Sequence, residues 1–200
     1  MQSLLLIFTK NAVLGQVKTR LAKATGPALA LKIHQALVEK TQQAVAPLSV
    51  KKALFYNEFI PQPDPWSPYV DYCKVQNGKD LGERMAAAFN WGFTHGYTKV
   101  VIIGTDLWEL EPQILQEAFD RLDTHPTVIG PAKDGGYYLL GLRKANPKIF
   151  RNKNWGWETV LEDTLRDLKP QKPYLLDEKN DIDYLDDVRG FPALEALLKP

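Results

Sequence analysis

The stretch that most constrains the fold is KVVIIGTD, residues 99–106. Val100, Val101, Ile102 and Ile103 follow one another with no polar alternation. β-Branched side chains suit the pleated surface of a strand. A run that is apolar on both faces suits a strand covered on both sides, as in a parallel sheet between helical layers. The run ends on Gly104, Thr105 and Asp106. In open α/β sheets ligands collect beyond the carboxyl ends of the strands, so Asp106 stands where such a sheet meets its ligand.

The flanking chain alternates in the same sense. Ser3–Phe8 reads as a buried strand, followed by the polar segment TKNAVLGQVKTRLAKATG. Pro27 can open a helix, because its missing N–H costs nothing in the first turn. Leu29, Ile33, Leu37, Ala44 and Val45 carry a helical stripe to about residue 46. Lys52–Tyr56 is a second strand, and the proline-rich PQPDPWSP, 61–68, is a surface loop. Asp80 and Glu83 have the spacing of a helix cap. Leu81, Met85, Ala88, Phe89 and Phe93 form the apolar face behind it, up to a stop at Gly96. Ile114–Leu122 and Val160–Leu168 read as helices. Thr127–Ile129, Tyr137–Leu142 and Tyr174–Leu176 read as strands, and Asp186–Leu198 as a final helix. Strand–helix alternation predicts a three-layer α/β/α sandwich around a mainly parallel, mixed sheet. One domain over residues 1–200 is expected from the length.

Bulk properties narrow the functions. A formal net charge of +1 gives no field that calls for nucleic acid or an anionic membrane. Leu4–Phe8 is too short for a signal-peptide core or a membrane span. Cys73 is the only cysteine, which excludes an intramolecular disulfide and points to a reducing, cytoplasmic setting. The chain has no P-loop motif, no G-x-G-x-x-G and no G-x-S-x-G. His34, His95 and His125 are scattered and form no H-x-x-x-H pair. What remains is acidic, basic and glycine chemistry.

Five stretches could supply it, and each also has a plain structural reading. In GQVKTRL, Gly15 permits close backbone approach while Lys18 and Arg20 offer cations beside a helix start, a combination suited to polyphosphate. The same residues also fit a solvated basic turn. Asp106 could hold Mg²⁺ together with phosphate oxygens and water, or cap the next turn. In GPAKDGGYYLLGL, Asp134, Gly135 and Gly136 could face a ligand or simply close a hairpin. Asp181 and Asp183 alternate, so in extended chain both point one way and could add to a metal site, or they open a helix. In QNGKDLGERM, Gly78, Lys79, Asp80 and Gly82 could shape a base or sugar pocket, or only cap the helix. Trp66, Trp155 and Trp157 look exposed and able to stack on a ligand, or they pack beneath loops.

Taken in order, TKNAVLGQVKTRLA, QNGKDLGERM, VVIIGTD, GPAKDGGYYLLGL, NWGWETVLEDTL and DIDYLDD resemble a known family. It is the group of glycosyltransferase-A-like transferases described as radical-SAM/selenodomain-associated transferase 1, largely of unknown function. That family is similar to the nucleotide-diphospho-sugar transferases, a superfamily that also contains the molybdenum-cofactor and 2-phospholactate nucleotidyltransferases. The resemblance spans nearly the whole chain. It implies a nucleotide site at the carboxyl edge of the sheet, with Thr9, Lys10, Gly15, Lys18, Arg20, Gln76, Gly78, Arg84 and Thr105 around the nucleotide. It implies Mg²⁺ or Mn²⁺ on Asp106, with Asp181 or Asp183 completing the site, and an acceptor side at Asp134, Gly135, Gly136 and Trp155. The sequence departs from the family where Ala12 and Leu14 replace loop prolines, and where Leu107 and Trp108 replace a Cys-Pro after the aspartate.

The expected activity is therefore metal-dependent transfer on a nucleotide substrate, with a small-molecule acceptor. Nucleotidyl transfer with Asp106, Lys18 and Arg20 as the catalytic set is favoured. Glycosyl transfer from a nucleotide sugar and non-catalytic nucleotide binding are the alternatives. GTDLW lacks the D-x-D that sugar transferases often carry at the strand end, and this is the reason for the order.

Overall fold

The computed structural model describes residues 2–198. Seven strands form one sheet in the order β3-β2-β1-β4-β6-β5-β7. They are β1 (Ser3–Thr9), β2 (Lys51–Tyr56), β3 (Tyr72–Val75), β4 (Lys99–Ile103), β5 (Thr127–Pro131), β6 (Tyr137–Leu142) and β7 (Tyr174–Leu175). β1, β2, β3 and β4 pair in parallel, β6 runs antiparallel to both β4 and β5, and β7 is parallel to β5. The helices are α1 (Thr19–Thr25), α2 (Pro27–Val45), α3 (Leu81–Thr94), α4 (Pro112–Arg121), α5 (Val160–Leu168), α6 (Leu185–Val188) and α7 (Pro192–Leu197). This is the expected α/β architecture with a mixed, mainly parallel sheet.

β4 sits at the centre, and all five of its residues are buried. Val101 and Ile103 face one core with α4 and the end of α2, whereas Val100 and Ile102 face the other with α3. Covering both faces is what the unbroken β-branched run required. A third, smaller core joins Leu21 of α1 and Ile33 and Leu37 of α2 to Ile182, Val188 and Leu194 near the end of the chain.

Several expectations shift. β3 pairs only with β2 and is a half-exposed strand, YCKV, without an apolar run to announce it. The expected final helix is two short ones, because Gly190 turns with φ 89° and Pro192 restarts the chain. Trp66 does not stand open to a ligand; it is 1% exposed and packs beneath the proline-rich loop. Leu81 is not on the apolar face of α3, where it was expected, but is 44% exposed and lines the cleft described next. Asp80 caps α3, its Oδ1 accepting from the Glu83 N–H at 2.8 Å. No described helix is long and apolar enough to cross a membrane.

Candidate functional site

A cleft of about 680 Å³ opens at the carboxyl ends of β1 and β4, a size typical of small-ligand sites. Thr9, Lys10, Lys18, Arg20, Gln76, Arg84, Thr105, Asp106, Asp134, Gly136, Trp155, Asp181 and Asp183 all line it. Residues more than 170 positions apart in sequence thus meet in one place.

The parallel strands supply the floor. Thr9 ends β1, and its Oγ1 lies 3.3 Å from the Thr105 Oγ1 just beyond β4. Asp106 follows, with 44% of its side chain open. The acidic segment arrives along another route. Beyond β7 the chain continues beside β5: Leu176 N–H donates to Ile129 O, and Lys179 N–H to Pro131 O. Ile182 then buries completely in the third core while its N–H donates to the Asp106 carbonyl at 3.0 Å. Asp181 and Asp183, on either side of Ile182, are left facing the cleft.

Lys18 joins these acids. Its Nζ forms an ion pair with Asp106 Oδ1 and lies 3.2 Å from Asp183 Oδ1, and its side chain is only 3% exposed. Arg20 takes the other oxygen of Asp183 at 3.2 Å and stacks over Tyr184 at 5.7 Å. Lys18 adopts φ 46° and ψ 46° at the start of α1. That left-handed conformation costs a non-glycine residue about 1–2 kcal/mol, and the ion pairs together with the Ala22 N–H bond to the Lys18 carbonyl offset it. Burial alone would pull the Lys18 ammonium below its ordinary value, but Asp106 and Asp183 outweigh it and hold the group above. Burial pushes Asp106 up, yet the Lys18 charge and hydrogen bond leave it below the usual carboxylate value. Asp181 lacks such a partner. Burial, reinforced by the negative charge of Asp106, raises it to about 7. Its Oδ1 is buried without a hydrogen-bond partner.

The two Asp183 oxygens are committed to cations, so Asp183 clamps the basic loop and does not stand free as a metal ligand. Asp106 and Asp181 are the pair suited to one. Among the described residues no three metal-binding side chains converge on a common point. Mg²⁺ does not demand that many: it is held by one or two carboxylates plus phosphate and water oxygens. The orphaned oxygen of Asp181 beside Asp106 fits such an ion.

Three glycines expected at the ligand lie off the cleft wall. Gly15 (φ 78°) turns in the exposed loop after β1. Gly78 packs against the Glu83–Arg84 backbone, where a Cβ would come within 2.6 Å of Arg84 N. Gly135 lies against the Trp157–Thr159 segment, where a Cβ would meet Glu158 O at 2.0 Å. Its turn closes the β5–β6 hairpin, and Asp134 Oδ1 accepts from Gly136 N–H at 2.8 Å. The hairpin reading of DGG therefore holds, even though Asp134 and Gly136 also line the cleft. Gln76 donates from Nε2 to Phe55 O at 3.1 Å, and Arg84 from Nε to Gly78 O at 3.1 Å, so each is fixed by backbone. Leu107 is buried and Trp108 packs on the third core; both occupy apolar sites.

Three positioning residues escape a reading of the sequence. His34 of α2 is 2% exposed, and its Nε2 lies 3.3 Å from the Lys10 carbonyl, which can only accept. The ring therefore carries its proton on Nε2, and burial lowers its affinity for a second one. Asn11 accepts from Glu58 and Phe59 N–H and donates to Phe59 O at 2.8 Å, while its own N–H donates to Asn57 Oδ1 at 2.6 Å. It fastens the loop after β1 to the loop after β2. Asp187 Oδ2 accepts from the N–H groups of Asp183 and Tyr184 at 2.9 and 2.7 Å, and its Oδ1 accepts from Asn180. Only an Asn or Asp near a turn signals such a role in sequence, and the chain holds many.

Solved structures share this architecture. A protein of Desulfovibrio desulfuricans G20, provisionally named a nucleotide-diphospho-sugar transferase, is 29% identical, with a TM-score of 0.86 over 99% of this chain and 97% of that one. A cytidylyltransferase from Leptospira borgpetersenii is 12% identical, with a TM-score of 0.63 over 94% and 83% of the two chains. Rv0371c of Mycobacterium tuberculosis H37Rv, in a complex with manganese, is 14% identical, with a TM-score of 0.57 over 98% and 100%. The last two likenesses speak for the fold alone. No curated protein matches the sequence. A family pattern does, over residues 40–157, a span that contains Gln76, Arg84, Asp106, Asp134 and Trp155. The chain belongs to that family, described as "Uncharacterized protein conserved in bacteria (DUF2064)".

Proposed function

We propose that this protein is a metal-dependent transferase acting on a nucleotide, and that it transfers a nucleotidyl group. A phosphate or hydroxyl of a small acceptor attacks the α-phosphorus of a nucleoside triphosphate. The bond from that phosphorus to the bridging oxygen breaks, and pyrophosphate leaves with the electron pair. The observation that carries this reading is the meeting of Lys18, Arg20, Asp106, Asp181 and Asp183 at the carboxyl edge of the sheet.

Phosphoryl chemistry of this kind needs positioning and charge stabilisation more than a protein nucleophile. Lys18 and Arg20 would grip the leaving pyrophosphate, with exposed Lys10 on the same wall. Asp106 and Asp181 would hold Mg²⁺ or Mn²⁺, which supplies neutralisation of phosphate oxygen charge. Asp187 keeps the 183–184 backbone in place, and His34 and Asn11 keep the loop after β1 in place. The acceptor would enter beside Asp134, Gly136 and Trp155. The name carried by the Desulfovibrio relative and the cytidylyltransferase fold of the Leptospira protein support a nucleotide-using transferase.

Glycosyl transfer is the second reading. It is favoured by Asp181-Ile182-Asp183, a D-x-D that faces the cleft although it lies far from the strand end. One assay separates the two. The protein is incubated with Mg²⁺, a set of candidate phosphorylated and hydroxyl acceptors, and either the four nucleoside triphosphates or a panel of nucleotide sugars. Pyrophosphate release from the triphosphates supports nucleotidyl transfer. Free nucleoside diphosphate from the sugars, without pyrophosphate from the triphosphates, overturns it.

A further inference from the structure

We propose that Lys18 is a resident placeholder for the divalent ion: its ammonium holds the Asp106 carboxylate until a polyphosphate draws it away, so metal enters this cleft only together with nucleotide. The inference rests on the metal-dependent reading above and adds to it an obligatory coupling between the two ligands.

Of the four carboxylates that line the cleft, two, Asp106 and Asp183, are contacted by cations. Lys18 spans Asp106 and Asp183, and Arg20 holds the remaining oxygen of Asp183. Asp181 is served by neither, and its Oδ1 is buried without a partner. This is a divalent site with half of its charge already supplied by a side chain. A metal ion on Asp106 and Asp181 would use the carboxylate that the Lys18 ammonium already holds. Two cations on one carboxylate repel each other. Free metal must therefore displace Lys18, whose side chain is 3% exposed and has no other anion to turn to except Asp183.

A polyphosphate removes the obstacle. It offers Lys18 new charge-assisted hydrogen bonds at the moment it brings phosphate oxygens to complete the metal shell. The geometry of Lys18 favours the exchange. Its backbone sits at φ 46° without being glycine, so the residue that makes the ion pairs also carries local strain. Lysine also suits the role better than arginine would, because its ammonium is a compact point charge on a flexible stem. By linkage, whatever factor nucleotide adds to metal affinity, metal adds to nucleotide affinity.

The test counts manganese retained by the protein on ultrafiltration, against a protein-free blank. The unmutated protein is titrated with Mn²⁺ alone, and again with the four α,β-methylene nucleoside triphosphates. Lys18→Met and Lys18→Gln are titrated with Mn²⁺ alone, each after a thermal melt has shown that it folds. The expected result is weak retention by the unmutated protein alone, and affinity at least ~10-fold tighter both with nucleotide and in the Lys18 variants. Adding Asp106→Asn to a Lys18 variant abolishes the gain. Tight Mn²⁺ binding by the unmutated protein without nucleotide overturns the placeholder. So does a Lys18 variant that folds and binds no tighter while the unmutated protein responds to nucleotide; in that case the function proposed above survives. Absence of retained manganese in every arm overturns the metal-dependent reading itself. If neither variant folds, tight Mn²⁺ binding by the unmutated protein alone still overturns the placeholder, and retention that requires nucleotide supports it.

Discussion

The two ends of the sheet each bury lysine, and they do it differently. Lys18 at the carboxyl end is 6% exposed; Lys52 and Lys99, at the amino ends of β2 and β4, are 9% and 8% exposed. Lys52 donates to Leu48 O at 2.8 Å, and burial pulls its ammonium below the ordinary value despite the nearby Asp71. Lys99 donates to Phe119 O at 3.2 Å and pairs with Asp123. Both amino-end lysines lay their stems along apolar surface and donate to the carbonyl of a neighbouring helix or turn, with Lys99 also meeting Asp123 away from the cleft. Such a carbonyl cannot be reassigned by a ligand. Lys18 ends on carboxylates that line an open cleft, and those partners can be contested. Burial alone therefore does not mark a functional lysine; the nature of its partners does.

That contrast can be broken by mutation. The largest effect is expected at Asp106→Asn, which keeps shape and removes charge: transfer activity should fall by ~10²–10³-fold, the usual loss when one charge-stabilising group is removed. Unchanged turnover in this variant would mean that the carboxyl end is only structural. Next comes Asp187→Asn, which touches no ligand but weakens the acceptor for the Asp183 and Tyr184 N–H groups. Activity should fall ~10-fold, in the range seen for residues that orient charged groups, with circular dichroism unchanged. Lys99→Met should reverse the pattern. Losing its hydrogen bond should cost ~1 kcal/mol of stability by urea titration, while nucleotide affinity stays as it was. A fall in affinity there would erase the distinction between the two ends.

The smallest effect concerns pH at the amino edge. Burial raises the Asp71 carboxyl, but bonds from Lys51 and from the Lys52 N–H outweigh it, and the folded value lies below the ordinary 3.8. A carboxylate depressed by folding contributes stability that is complete above its unfolded value and lost as pH falls through its folded value. Because the pair is exposed, screening shrinks the contribution. Asp71→Asn should therefore lower Tm slightly near neutrality, and the difference from the unmutated protein should vanish once pH has fallen through the folded value, below 3.8. A difference that persists there would assign the loss to packing instead.

Much of this molecule can be read from its residues, in proportion to how local each cause is. The β4 run states its own burial on both faces, and Asp80 with Glu83 states its own cap. β3 does not, because YCKV is a strand only by virtue of β2 beside it. The break between α6 and α7 was written in Gly190 and Pro192, and the expectation of one helix passed over both. Trp66 is hidden by tertiary packing that a loop composition of prolines does not report. At the site, the acids and the basic turn are visible as patterns, and the alternatives attached to them were real: Asp134 does close a hairpin. What no pattern shows is that Lys18 and Asp183, 165 positions apart, share a hydrogen bond. His34, Asn11 and Asp187 are equally silent in sequence, since each works on backbone supplied by a distant segment.

The small third core has one further consequence. Leu21, Ile33 and Leu37 come from early in the chain, and Ile182, Val188 and Leu194 from its last twenty residues, so a single apolar knot ties both basic and acidic lips of the cleft. A ligand bridging those lips tightens the knot from the other side. Saturating nucleotide should then slow limited proteolysis around Gly190–Leu194, which gives occupancy a readout far from the chemistry.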